Sequence, residues 1–121
     1  MLDRGLSTLH EDLADRGLLD KTSPVTMGNF GRTPRINGNA GIDHWGTCSS
    51  VALAGGPVRR GTIVGSSDSI GAYLDSRQRS PPDLLATTLQ AAGVNSHQLM
   101  HGRPGSPIPL STGDVIAEAV A

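Results

Sequence analysis

Met27-Gly28-Asn29-Phe30-Gly31-Arg32-Thr33-Pro34-Arg35-Ile36-Asn37-Gly38-Asn39-Ala40-Gly41-Ile42-Asp43-His44-Trp45 carries almost no apolar periodicity. It therefore reads as neither a regular helix nor a half-buried strand. Yet it gathers glycines, asparagines, two arginines, an Asp-His pair and the chain's only Trp and only Phe. A polar stretch holding these side chains between two β-like segments builds a site. The flanking sequence reads as the scaffold around it.

Working outward toward the N-terminus, Ser23-Pro24-Val25-Thr26-Met27 predicts a short strand that leads into the run. Pro24 removes a ladder donor, so this strand is short or lies at an edge. Leu2, Leu6, Leu9 and Leu13 recur at helical spacing, with Glu11, Asp12 and Asp15 turned outward. They predict a helix from about Leu6 to Arg16, closed by Gly17 in a left-handed cap, with Leu18 and Leu19 packing just after it.

On the C-terminal side, Ser49 to Ala54 predicts a strand closed by Gly55-Gly56-Pro57, and Gly61 to Gly65 a second brief one. Residues Ser66 to Gln78 show no assignable pattern. Ser80-Pro81-Pro82-Asp83 then offers an N-cap serine, proline at the first helical position and an acid three residues after the cap. A helix from Pro81 to Ala92 follows, ended by Gly93. Arg103 to Leu110 reads as extended and irregular, and Asp114 to Val120 as a short C-terminal helix. This order predicts an α/β sheet architecture with the polar run at a strand's carboxyl end.

Composition narrows the function classes. The chain has 121 residues, the length of one domain, but only three aromatic residues, with sixteen Gly and eight Pro. Its core must be built from aliphatic side chains, and so many glycines are costly to order. Formal net charge is −1, and the few basic residues outside Arg59-Arg60 are scattered, among them Arg32, Arg35 and Arg103. A chain that binds nucleic acid through phosphate neutralisation carries a marked basic excess, so nucleic acid is not an expected partner. Cys48 is alone, which leaves no internal disulfide and no cysteine-based zinc site. No segment has the apolar length of a membrane span, and no export signal is visible, so a cytoplasmic location is expected.

Within the polar run, His44 is the best single candidate for chemistry. Neutral imidazole is the commonest metal ligand, and Asp43 could be a second ligand or orient the ring. The alternative is a loop histidine bonded to backbone, with Asp43 capping a turn. Arg32 and Arg35 could hold an oxyanion, since guanidinium groups match phosphate and sulfate geometry, or form a solvated surface pair. Asn29, Asn37 and Asn39 sit beside glycines and suit left-handed turns. His97 and His101 have the spacing of one helical face, but flanking glycines leave no room for a long helix. His10 is expected on the outer side of the first helix. No Gly-x-Ser-x-Gly elbow or phosphate loop occurs, and no nucleophile has an assignable base.

Gly17-Leu18-Leu19-Asp20, Met27 to Pro34, Asn37 to Trp45, Leu53-Ala54-Gly55-Gly56 and Pro107-Ile108-Pro109-Leu110 stand in this order along the chain. In that order they resemble the C-terminal end of a bacterial family, the domain of unknown function 1501. That family is similar to the sulfatases and alkaline phosphatases. The resemblance implies an α/β sandwich larger than this chain, in which one or two divalent metals, such as zinc, manganese or calcium, activate a hydroxyl nucleophile on a phosphate or sulfate ester. His44, with Asp43, matches a late metal-ligand position, and Arg32 falls in the Phe-Gly-Arg-Thr-Pro motif, where an oxyanion-binding or structural role is implied.

The chain departs from the family pattern at Asn29, where relatives usually carry a glutamate that could face the metal. Asparagine keeps an oxygen but loses the charge. The preceding strand, apolar in relatives, is interrupted here by Ser23-Pro24. The superfamily's nucleophile and first metal ligands come from an N-terminal half to which nothing here corresponds. The expectation is a truncated, sulfatase-like polypeptide without independent activity. The alternatives are one half of a split metal-dependent ester hydrolase, completed by a separate N-terminal polypeptide, and a small anion-binding module built on Arg32 and Arg35. Relatives of full length are typically exported.

Overall fold

A computed structural model describes residues 2–102 and 106–121; Arg103, one of the scattered basic residues, lies outside that set. The leucine stripe forms α1, Leu2–Asp15, four residues longer at its start than the periodicity predicts. Its end is the one that Gly17 predicts. Gly17 takes φ 66°, its N–H bonds the Ala14 carbonyl at 2.9 Å, and the Leu18 N–H reaches back to Leu13 at 2.8 Å. These paired bonds are the Schellman closure of a helix.

Among the described residues four antiparallel two-stranded ladders follow in place of a continuous sheet. β1 (Val25–Met27) pairs with β4 (Val51–Leu53), and the two-residue strands β2 (Gly31–Arg32) and β3 (His44–Trp45) pair with each other. β5 (Ser66–Ser67) pairs with β6 (Leu74–Ser76), and β7 (Leu99–His101) with β8 (Pro107–Pro109). The molecule is thus mixed α/β, and the polar run does begin at the carboxyl end of β1.

Two expected elements are replaced. Gly61 to Gly65 forms no strand, because glycines with φ 71° and 79° bracket it and turn the chain out of the extended region at both ends. Asp114 to Val120 forms no helix, only a turn over residues 117–119. A helix that short is marginal alone. Here Val120 forms a bridge to Val58, Arg59 N–H bonds the Ala119 carbonyl at 2.9 Å, and Ala121 N–H bonds Pro57 at 2.8 Å.

The strongest local element is α2, Pro81–Ala91. Ser80 and Asp83 form a reciprocal capping box, and Gly93, at φ 77°, closes the other end. Asp83 also accepts the Asp114 N–H at 2.9 Å. The backbone N–H of Ser80, then that of Asp114, hold its carboxyl below the usual carboxylate range. Buried Thr87 donates to the Asp83 carbonyl and accepts the Ile116 N–H. This polar stitching holds the C-terminal segment against α2.

Apolar burial is sparse. Among the described residues only Ala72, Ala86, Ile116 and Val120 are buried hydrophobics. The chain exposes 8796 Å² for a mass of 12.5 kDa, where a folded monomer of that mass exposes roughly 6,200 Å². The excess, roughly 2,600 Å² on one chain, is as much as one partner contributes to a large permanent interface, whose two sides together bury about 2,000–5,000 Å².

Candidate functional site: the Gly31–Trp45 hairpin

The polar run is a hairpin closed from inside. Gly31 stands opposite Trp45 and Arg32 opposite His44. Beyond the ladder, Thr33 N–H bonds the Asp43 carbonyl at 3.0 Å. The Thr33 hydroxyl accepts the Asp43 N–H at 3.0 Å and donates to the Arg35 carbonyl at 3.1 Å. Asn37 fixes the tip. Its side-chain oxygen accepts the N–H groups of Asn39 and Gly41, each at 3.0 Å, and its amide nitrogen donates to an Asp43 carboxylate oxygen at 2.9 Å. Ala40 is driven to φ 59° to complete this turn, a conformation that costs a non-glycine residue about 1 kcal/mol or more.

The base is anchored twice. A Cβ at position 31 would run into the Cys48 carbonyl, so the glycine of the Phe-Gly-Arg sequence is a requirement of close backbone approach. Trp45 donates its indole N–H to the Ala72 carbonyl at 2.6 Å and meets Tyr73 edge-on at 5.8 Å between centroids. The same carbonyl accepts the Thr47 hydroxyl at 2.9 Å.

His44 and Arg32 come together on this hairpin. The imidazole lies against the Phe30 ring with centroids 3.9 Å apart, and the Arg32 guanidinium carbon stands 5.3 Å from the same ring's centroid. Both side chains are exposed. Among the described residues neither Arg32 nor Arg35 forms an ion pair. One phenyl ring therefore props an imidazole and an unneutralised guanidinium on one open face. Phe30 is the contact residue that motif reading did not single out; its place immediately before a sterically required glycine was the available signal.

Asp43 and Asn29 are placed otherwise. Asp43 directly precedes His44 at the mouth of β3, and consecutive residues of extended chain point to opposite faces. One of its carboxylate oxygens is taken by Asn37. Asn29 is exposed and lines a cleft of about 980 Å³ to which His44, Asp43 and Arg32 do not contribute. Among the described residues no group of three His, Cys, Asp or Glu side chains could surround a metal ion. Zinc takes about four ligands and calcium six or more, so Asp43 and His44 do not by themselves fit a divalent ion.

The remaining histidines are not gathered here. His97 sits in a turn, its N–H on the Asn95 side chain at 3.0 Å, and His101 ends β7, so the two share no helical face. His10 differs from expectation: it is half-buried, lines the same cleft as Asn29, and its Nε2 is enclosed with no hydrogen-bond partner among the described residues. No helix among the described residues is long and apolar enough to cross a membrane.

A family model described as "Protein of unknown function (DUF1501)" matches residues 1–120. The chain belongs to that family. No curated protein and no solved structure matches it.

Proposed function

We propose that this chain supplies the hairpin of a sulfatase- and alkaline-phosphatase-like fold that faces a metal and an anion, and that it does not hydrolyse esters by itself. The observation that carries this reading is the shared Phe30 platform, which sets His44 and Arg32 side by side on an exposed face. A neutral imidazole can complete the coordination of zinc, manganese or calcium, and a guanidinium can match a phosphate or sulfate oxygen pair. In this reading Asp43 is the loop's internal clamp and joins His44 only if Asn37 releases it. The nucleophile and the other ligands come from elsewhere.

The test is hydrolysis of p-nitrophenyl phosphate and p-nitrophenyl sulfate by the chain, with zinc, manganese or calcium, alongside His44→Ala. We expect no turnover above that of the variant. Metal-dependent turnover abolished by His44→Ala would sink the proposal.

A split enzyme is the second reading, favoured by the surface that the chain leaves uncovered. Co-expression with a polypeptide carrying the N-terminal half of a family member is then expected to give ester hydrolysis that requires His44. No such gain with a partner that binds the chain would remove it.

A further inference from the structure

The cleft that Asn29 lines has two properties unrelated to the hairpin. First, part of its lining is strand backbone with an unpaired edge. Ala54 N–H bonds the Pro24 carbonyl at 3.1 Å. In the antiparallel register Val25↔Leu53 and Thr26↔Ala52, that bond makes Ala52 the inward-bonding residue of β4. The backbone groups of Val51 and Leu53 therefore face away from β1. Among the described residues β4 has no second ladder partner, and β4 lines the cleft. Residues 60–65 line the same cleft, and apart from the turn at Arg60-Gly61 no backbone hydrogen bond ties them to another segment among the described residues.

Second, the cleft is cationic. Arg59, Arg60, Arg77 and Arg79 line it, four of the ten basic residues of a chain whose net charge is −1, and no carboxylate residue lines it. Arg79 pairs with Glu118 at 3.1 Å, and Arg60 only touches exposed Asp20 at 4.0 Å. The Val120 carbonyl fixes the Arg59 Nε–H at 2.8 Å, and among the described residues its terminal nitrogens bond nothing. Arg77 is held at φ 44°, where a non-glycine residue is strained, and its carbonyl packs against Gly65.

We propose that this cleft takes up an extended acidic polypeptide segment, which adds as a strand to the free edge of β4. Main-chain bonds to Val51 and Leu53 give the affinity, and the arginines select acidic side chains. A single-stranded nucleic acid would also be anionic, but it is bound by stacking its bases on aromatic rings, and no Phe, Tyr or Trp lines the cleft.

The experiment is fluorescence anisotropy of a short fluorescein-labelled peptide of alternating Glu and Val, titrated with the full chain. Saturable binding is expected, with the Lys-Val counterpart at least about tenfold weaker. N-methylation of alternate amides should weaken binding by about tenfold, since it removes two ladder bonds. Arg60→Glu with Arg77→Glu, folded by circular dichroism, should reverse the preference to the Lys-Val peptide. Equal binding of the two peptides, indifference to N-methylation, or an unreversed preference in the folded double variant would each overturn the proposal. So would displacement by an unstructured oligonucleotide as effective as the Glu-Val peptide.

Discussion

Asn37→Ala is the most informative perturbation of the hairpin, because one side chain makes three of the bonds at its tip, beside the backbone bonds from Asn37 N–H to Gly41 and from Ala40 N–H to Asn37. The substitution deletes the two bonds accepted by the side-chain oxygen at 3.0 Å and the one donated to Asp43 at 2.9 Å. Each such bond contributes about 0.5–1.5 kcal/mol, and this exposed loop belongs in the lower half of that range. Three of them amount to about 2 kcal/mol of local closure, or roughly a thirtyfold rise in the open population. The global unfolding transition should move far less, since the α2 and C-terminal core is elsewhere.

Amide hydrogen exchange reads this directly. The informative amides are those of Thr33 and Asp43, whose own acceptors survive the substitution. Their exchange should accelerate by about thirtyfold, while amides within α2 keep their rates. Asn37→Asp separates the two roles of the residue. It keeps the acceptor for the Asn39 and Gly41 N–H groups but sets a second carboxylate against Asp43, so it should open the loop and add a dependence on ionic strength. If Thr33 and Asp43 exchange at unchanged rates in Asn37→Ala, the clamp is not what closes the loop, and the assignment of Asp43 to structure fails with it.

Gly31→Ala should displace the hairpin, since the new Cβ meets the Cys48 backbone rather than a movable side chain. A loss of about 2 kcal/mol or more and a red shift of Trp45 emission are expected. Ala40→Gly should relieve left-handed strain and raise stability by up to about 1 kcal/mol in urea denaturation; a loss there would refute the strain argument. Acid should weaken the cap of α2. The Asp83 pKa is lowered on folding, by the Ser80 backbone N–H first and the Asp114 N–H second, so its contribution is complete above the ordinary carboxylate pKa of about 4 and disappears as pH falls through the lower folded value. Thermal midpoints recorded across that window should fall less steeply for Asp83→Asn than for the unmodified chain.

What was legible in the sequence is what is closed locally. The Ser80–Asp83 capping box, the α1 leucine stripe and the glycine caps at Gly17 and Gly93 are each decided within a turn of chain, and the structure has all of them. What was not legible depends on distant partners. Val120 pairs with Val58, about half the chain away in sequence, which overrides a weak helical tendency in the last residues. β5 and β6 contain serines and an aspartate without apolar alternation, so no pattern marks them; they are held by backbone pairing and a bond between the Ser66 and Ser76 hydroxyls at 2.7 Å. In the site, the chemical residue types of His44 and Arg32 were readable, but their meeting over Phe30 follows from the β2–β3 register. The Asn37–Asp43 bond is set by loop geometry that no spacing rule encodes.

The hairpin and the arginine cleft have a common physical origin. This chain spends its hydrogen-bonding capacity on short closures, and it buries few hydrophobic side chains. Short closures hold side chains in place without covering them. Hence His44 and Arg32 are positioned yet exposed, and β4 is paired on one edge yet bare on the other. Aliphatic side chains follow the same rule: Ile63 is 86% exposed and Ile36 74%. Isolated two-stranded ladders are marginal in water, and an added strand or a packed surface is what stabilises them. A partner strand on β4 would therefore do more than bind. It would tighten the β1–β4 ladder from which the polar run departs, so occupancy of the cleft should slow amide exchange in β1 and in the hairpin beyond it, with no contact between the ligand and His44.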